Sequence, residues 1–122
     1  MEKIVTSNAP AAIGPYSQGI VLGDLVFTSG QIPVDPATGE IPQGIEAQAE
    51  RSCRNVAAVL EAAGTTMENV VKTTCFLADM GDFAVFNQVY ARFFTSCPAR
   101  SCVAVKALPK QVLCEIEAIA RR

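Results

Sequence analysis

Two short apolar stretches late in the chain carry charge where a sheet interior ordinarily carries none. In "PARSCVAV" (98–105) Arg100 opens an apolar run, and in "CEIEAIA" (114–120) Glu115 and Glu117 interrupt one. A charge inside an apolar strand costs free energy unless it is paired or put to use. Alternation places Arg100, Cys102 and Ala104 on one face of the first strand, and Leu113, Glu115, Glu117 and Ile119 on one face of the second. If the turn near Leu108-Pro109-Lys110 closes a hairpin, Arg100 and a glutamate approach each other. A structural ion pair is the commoner meaning of such a pair. The functional alternative is an arginine fork for a substrate carboxylate, with a glutamate that handles protons or orients a water.

Five further residues could take part. Ser29-Gly30 stands at the end of an apolar run and offers a hydroxyl and an open backbone N–H, although Ser-Gly is also ordinary turn punctuation. Tyr16 follows a Gly14-Pro15 turn that could aim its ring or simply pack it. Asn87 is polar on an otherwise aromatic helix face and needs a buried partner or a ligand. Cys102, like Cys53, Cys75 and Cys114, reads first as a small strand or core residue.

The absences confine the chemistry. The chain has no histidine, so Ser-His and Cys-His nucleophiles and His-ligated metals are excluded. It has no Cys-x-x-Cys pair and no glycine-rich phosphate loop, so neither a metal nor a cofactor is expected. Carboxylates, arginine, hydroxyls, backbone groups and water are what remain. A net charge of -2 without a basic cluster argues against nucleic acid as the main partner. The five cysteines form no framework spacing, and neither a signal-like apolar run nor a membrane-length segment is present. These features predict a cytoplasmic protein with reduced thiols and no membrane partner.

These residues need a frame, and 122 residues with 50% hydrophobic content predict one domain spanning 1–122. Strands are predicted near 18–22 and 25–29 around Gly23-Asp24, with a possible short strand at Ile4-Val5. The segment "PVDPATGEIPQG" (33–44) reads as a long loop. Ile45, Ala49, Cys53, Val56, Leu60 and Ala63 recur at helical spacing, with Gly64 as the stop. A strand follows in "VVKTTCFLAD" (70–79). A second helix, capped by Asp82, carries Phe83, Phe86, Tyr90 and Phe93 as its stripe. The order is ββαβαββ, an α+β fold with both helices on one face of a mixed sheet. The strands are apolar on both sides, so the second sheet face is expected to meet other subunits.

Taken together, "NAPAAIGPYSQG" (8–19), "FTSGQIPVDPATGE" (27–40), "NVVKTTCFLADMGDFAVFNQVYARFF" (69–94), "PARSCVAVKALPK" (98–110) and "EIEAIA" (115–120) resemble the Rid family, the YjgF-type reactive intermediate deaminases. The likeness is greatest to the RidA subgroup, on Arg100, Cys102 and Glu115. The resemblance implies a chorismate-mutase-like homotrimer with a central β-barrel, outer helices and clefts between subunits. It implies hydrolysis of 2-iminobutanoate and 2-iminopropanoate, released by pyridoxal-phosphate enzymes, to 2-oxo acids and ammonia, with no cofactor. Arg100 would clamp the substrate carboxylate. Glu115 would handle the attacking water, with the Cys102 carbonyl as second acceptor. Tyr16, Ser29, Gly30 and Asn87 would line the cleft. The segment "FFTSCPAR" (93–100) departs from the family pattern, being shorter and carrying Cys97 where relatives have an aromatic. Glu117 has no assigned role and is expected at solvent or at a subunit contact. The competing readings are a non-catalytic trimer that binds small carboxylates or acts as a chaperone, and a ribonuclease or translation inhibitor.

Overall fold

A computed structural model describes residues 1–122. Its strands are β1 (Glu2–Ile4), β2 (Gly19–Leu22), β3 (Leu25–Thr28), β4 (Val70–Leu77), β5 (Ala99–Ala104) and β6 (Cys114–Arg121), with helices α1 (Ile45–Ala62) and α2 (Phe83–Phe93). The sheet order is β1-β2-β3-β6-β4-β5. Only β4 and β5 run parallel, joined by α2 as the crossover, and the other pairs are antiparallel. Both helices cover the same face. The short first strand does form, at Glu2–Ile4, starting two residues before its apolar pair and ending one residue short of it.

α1 ends as expected at Gly64, whose φ of 85° lies in the left-handed region. The Gly64 and Thr65 N–H groups donate to the carbonyls of Glu61 and Leu60, both at 3.0 Å, closing a Schellman cap. The buried stripe of α1 is wider than its apolar spacing indicates. Beside Ala49, Cys53, Val56 and Leu60 it includes Gln48, Ser52 and Asn55, a polar row that is also buried. α2 departs from expectation at its start. Asp82 makes no side-chain cap; the carboxylate of Asp79 instead accepts from the Gly81 N–H at 2.7 Å, capping the 3-10 turn Met80–Asp82 that leads into the helix.

The segment 98–120 is not a hairpin. β6 inserts between β3 and β4, whereas β5 pairs only with β4 and forms the sheet edge. Burial accounts for the difference. In β6, Cys114, Ile116, Ala118 and Ala120 are at most 2% exposed, which suits a strand flanked on both sides under the helices. β5 has no fully buried residue and tolerates an edge. The link between them contains the turn Pro109–Gln111, in which Lys110 and Gln111 both take positive φ.

Buried amides fix the loops at the sheet ends. Asn55 on α1 donates its Nδ2 to the carbonyls of Ile32 and Val34 at 3.0 and 2.9 Å. Gln48 donates to Pro42 and accepts from the Leu113 N–H. Gln18 accepts from the Thr6 N–H and reaches the carbonyls of Thr6, Ala9 and Pro10 with its Nε2. An amide that satisfies several buried backbone groups costs more to remove than a surface hydrogen bond. Asn55→Ala should therefore lower the unfolding free energy by about 2 kcal/mol in urea titration, with faster amide exchange in residues 31–35.

Candidate active site

The register fixes where the two charges point. Arg100 of β5 lies opposite Thr73 of β4, and Glu115 of β6 lies opposite Phe76 of β4. Register partners share a sheet face, and successive residues alternate faces. Thr73 is fully buried and shares a 2.7 Å hydrogen bond with Tyr90 of α2, so Arg100 emerges on the helical side. Glu115 and Glu117 emerge on the uncovered side, beside Phe76 and Thr74. Arg100 and Glu115 therefore do not meet within one protomer, because β4 separates their strands and their side chains leave opposite faces. Neither joins an ion pair; those present are Arg54–Glu50, Arg92–Glu50 and Arg122–Glu2, all at the surface. The structural pairing allowed by the sequence is absent.

Arg100 is held by neutral groups. One guanidinium nitrogen donates to Asn87 Oδ1 at 2.8 Å, and the guanidinium carbon lies 4.7 Å from the Tyr90 ring centroid and 5.5 Å from that of Phe83. An amide oxygen and ring faces orient the cation without neutralising it. Asn87 thus has its partner, and its own amide N–H groups remain as donors. Arg100, Asn87, Tyr90, Phe94, Cys97 and Pro98 line an open hollow of about 510 Å³. Cys97 is exposed on its rim with a φ of 52°.

Glu115 occupies different surroundings. Between the pairs Phe27↔Ile119 and Gln31↔Ile116, the β3 side carries one more residue than β6, a bulge that contains Ser29 and Gly30. The Glu115 carboxylate lies directly over Gly30, where an added Cβ would come within 2.8 Å of its Cδ and closer still to Oε2. Only glycine admits the carboxylate there. Burial, and secondarily the charge of Glu117, raises the Glu115 carboxyl above the usual glutamate range. Ser29 donates its hydroxyl to the Ser17 carbonyl at 2.5 Å and its N–H to that of Gln18 at 2.9 Å, while the Gly30 N–H donates to nothing in the protomer. Gly30 and Tyr16, the latter 52% exposed, line a second hollow of about 240 Å³ with Gln18, Gln31, Ile32 and Lys110.

The predicted residues thus fall into two groups. Ser29, Gly30 and Glu115 gather around the bulge, with Tyr16 lining a hollow beside Gly30, and Asn87 and Arg100 stand at the β5 edge on the helical side. Cys102 lies opposite Cys75 on the helical side, half-buried, and burial raises its thiol despite the nearby Arg100, so it is poorly disposed to act as a nucleophile. The sequence reading did not single out Gln18, Gln48, Asn55 and Thr73. The first three are amides in otherwise apolar surroundings, and Gln48, Ser52 and Asn55 at helical spacing beside the apolar row were the available signal.

Comparison with known proteins identifies the family. The family described as Endoribonuclease L-PSP matches residues 6–122. The "2-iminobutanoate/2-iminopropanoate deaminase" of Escherichia coli K12 is 57% identical, covering 98% of this chain and 96% of that protein. A RutC family protein of Haemophilus influenzae is 58% identical over 98% of this chain and 95% of its own. The crystal structure of E. coli TdcF with bound serine superposes with a TM-score of 0.97 at 52% identity, covering 100% of this chain and 99% of that one. The YjgF gene product of E. coli gives 0.97 at 55%, with coverage of 100% and 99%. A match over almost the whole length at such identity leaves one placement: the chain belongs to the Endoribonuclease L-PSP (YjgF/Rid) family, on its RidA-like side.

Proposed function

We propose that this protein is a 2-iminobutanoate/2-iminopropanoate deaminase that hydrolyses reactive imines and their enamine tautomers to 2-oxo acids and ammonia. One observation carries the reading. A guanidinium without an acidic partner lines an open hollow on one face of the sheet, and a carboxyl of raised pKa, lodged over Gly30, leaves the opposite face. A second copy of the chain against the β5 edge can bring its Glu115 face to the Arg100 hollow. The uncovered sheet face, with Leu22, Leu25 and Val103 exposed and Phe27, Phe76 and Ile119 half-buried, supplies apolar surface for such assembly. A homotrimer with the cleft between subunits is the proposed form.

Arg100 binds the substrate carboxylate through its free donors. The iminium carbon is already electrophilic, so water adds without a covalent nucleophile. Glu115 accepts the proton released as the water oxygen bonds to C2, with the Cys102 carbonyl as the water's second acceptor. It then returns that proton to nitrogen. The C–N bond breaks as the hydroxyl collapses to the carbonyl, and the hydroxyl proton leaves with ammonium. The raised pKa makes Glu115 a stronger base than an ordinary surface glutamate. Gly30 N–H, Tyr16 and Asn87 line the cleft, while Ser29, its hydroxyl committed to Ser17, holds the bulge. A nucleic-acid substrate has no comparable support, since the net charge is -2 and no basic cluster is present.

The direct test generates 2-iminobutanoate with threonine dehydratase and follows its trapping by semicarbazide. The protein should accelerate imine loss, and no acceleration rejects the proposal. Arg100→Ala should lower kcat/KM by about 100-fold or more, chiefly through KM. Glu115→Gln should lower kcat by about 10²–10⁴-fold and remove the acid limb of the pH–rate profile, whose midpoint lies above the usual glutamate range.

The same carboxyl has a stability signature. Burial favours its protonated form, so its contribution to stability is full below the ordinary glutamate range and is lost as pH rises through the raised value. Glu115→Gln should thus melt at a higher temperature than the wild type at neutral pH, with the difference vanishing in acid. Calorimetry from pH 4 to 8 would show it.

A further inference from the structure

Tyr90 carries a set of contacts that its place in the aromatic stripe does not require. Its ring lies beneath the Arg100 guanidinium at 4.7 Å and stacks on Phe94 with centroids 4.3 Å apart and planes 23° off parallel. Its hydroxyl shares a 2.7 Å hydrogen bond with Thr73, which is fully buried and is the register partner of Arg100 on β4. The ring is therefore fixed from below by Phe94, at its far end by the neighbouring strand, and presents a face to the cation. Strand and helix are tied at the level of Arg100. Residue 8% exposed as it is, Tyr90 is unable to act as a proton donor to a substrate in the open hollow.

We infer that Tyr90 is a positioning residue for Arg100, a ring platform tethered through Thr73 that holds the guanidinium ready for a carboxylate. Three features of the contact fit this role better than packing alone. The platform is neutral, so the cation keeps its full charge for the ligand, which a carboxylate partner would have prevented. The ring acts together with Asn87, which fixes one guanidinium nitrogen from the side and leaves the remaining donors free. And the tether runs to Thr73, the register partner of Arg100, so platform and cation are anchored at the same level of the sheet. Preorganisation of this kind lowers the ordering cost of binding a carboxylate. The inference rests on the reading of Arg100 as the carboxylate clamp.

The test compares binding of 2-oxobutanoate with that of its carboxamide by titration calorimetry, in the full-length protein, alongside steady-state kinetics and thermal melts. The wild type should prefer the carboxylate. Tyr90→Leu, which removes the ring, should narrow that preference by about tenfold and raise KM more than it lowers kcat. Tyr90→Phe, which keeps the ring and loses the tether, should narrow it by about two- to threefold, and Thr73→Val should match it. General loss of structure would weaken both ligands alike and leave the ratio unmoved. Tyr90→Leu with the wild-type ratio overturns the inference. If that variant does not fold, a wild-type ratio and KM in both Tyr90→Phe and Thr73→Val overturn it instead. A wild type with no carboxylate preference removes the clamp reading itself, and this inference with it.

Discussion

The alternation of side chains along β5, β6 and, from Lys72 onward, β4 is the constraint on which the rest depends. Because β4 pairs with both other strands, one register decides the face of every charge. Ile116, Ala118 and Ala120 must face the helices to close the core, which sends Glu115 and Glu117 to the other side. Thr73 must face α2 to reach Tyr90, which sends Arg100 to the helical side. A slip of one residue would expose the core and invert the site together. Core packing and the separation of the two charges are consequences of the same register.

Each charge is then accommodated by its own local device. Arg100 stands at a sheet edge, where an amide and aromatic faces orient it and water still reaches it. Glu115 lies half-buried on a central strand, lodged over a glycine that a bulge places there. Desolvation alone raises a carboxyl and disfavours its charge. The bulge admits the carboxyl, and no hydrogen-bond donor holds the anion there.

The elements were legible because periodicity is local: the hairpin at Gly23-Asp24, both helices, the Gly64 cap and the apolar alternation of 114–120 all follow from spacing. Strand order was not, since "PARSCVAV" and "CEIEAIA" are adjacent in sequence and each is a plausible partner for the other. Their separation is decided by burial of β6 on both flanks, which depends on β3 and β4, distant in the chain. The site residues were identified by type, and their resemblance to a family gave them roles. Their division between two faces of the sheet was hidden, because it depends on strand order and not on composition. The buried amides were missed for a related reason: Gln48 and Asn55 look like solvated helix positions until the loops they hold are present.

Those amides have a consequence for how the molecule responds to its surroundings. The loops flanking the hollow beside Gly30 and Tyr16 are secured by carboxamides and backbone carbonyls, groups that neither gain nor lose a proton anywhere in the range a cell experiences. With histidine absent from the chain, and the buried thiols Cys75 and Cys114 pushed up to about 12, the scaffold has few switches of its own near neutrality. Those ties keep their form as the surrounding pH changes. Acid and alkali change the charge of groups such as the Glu115 carboxyl while leaving these bonds between helix and loop as they are.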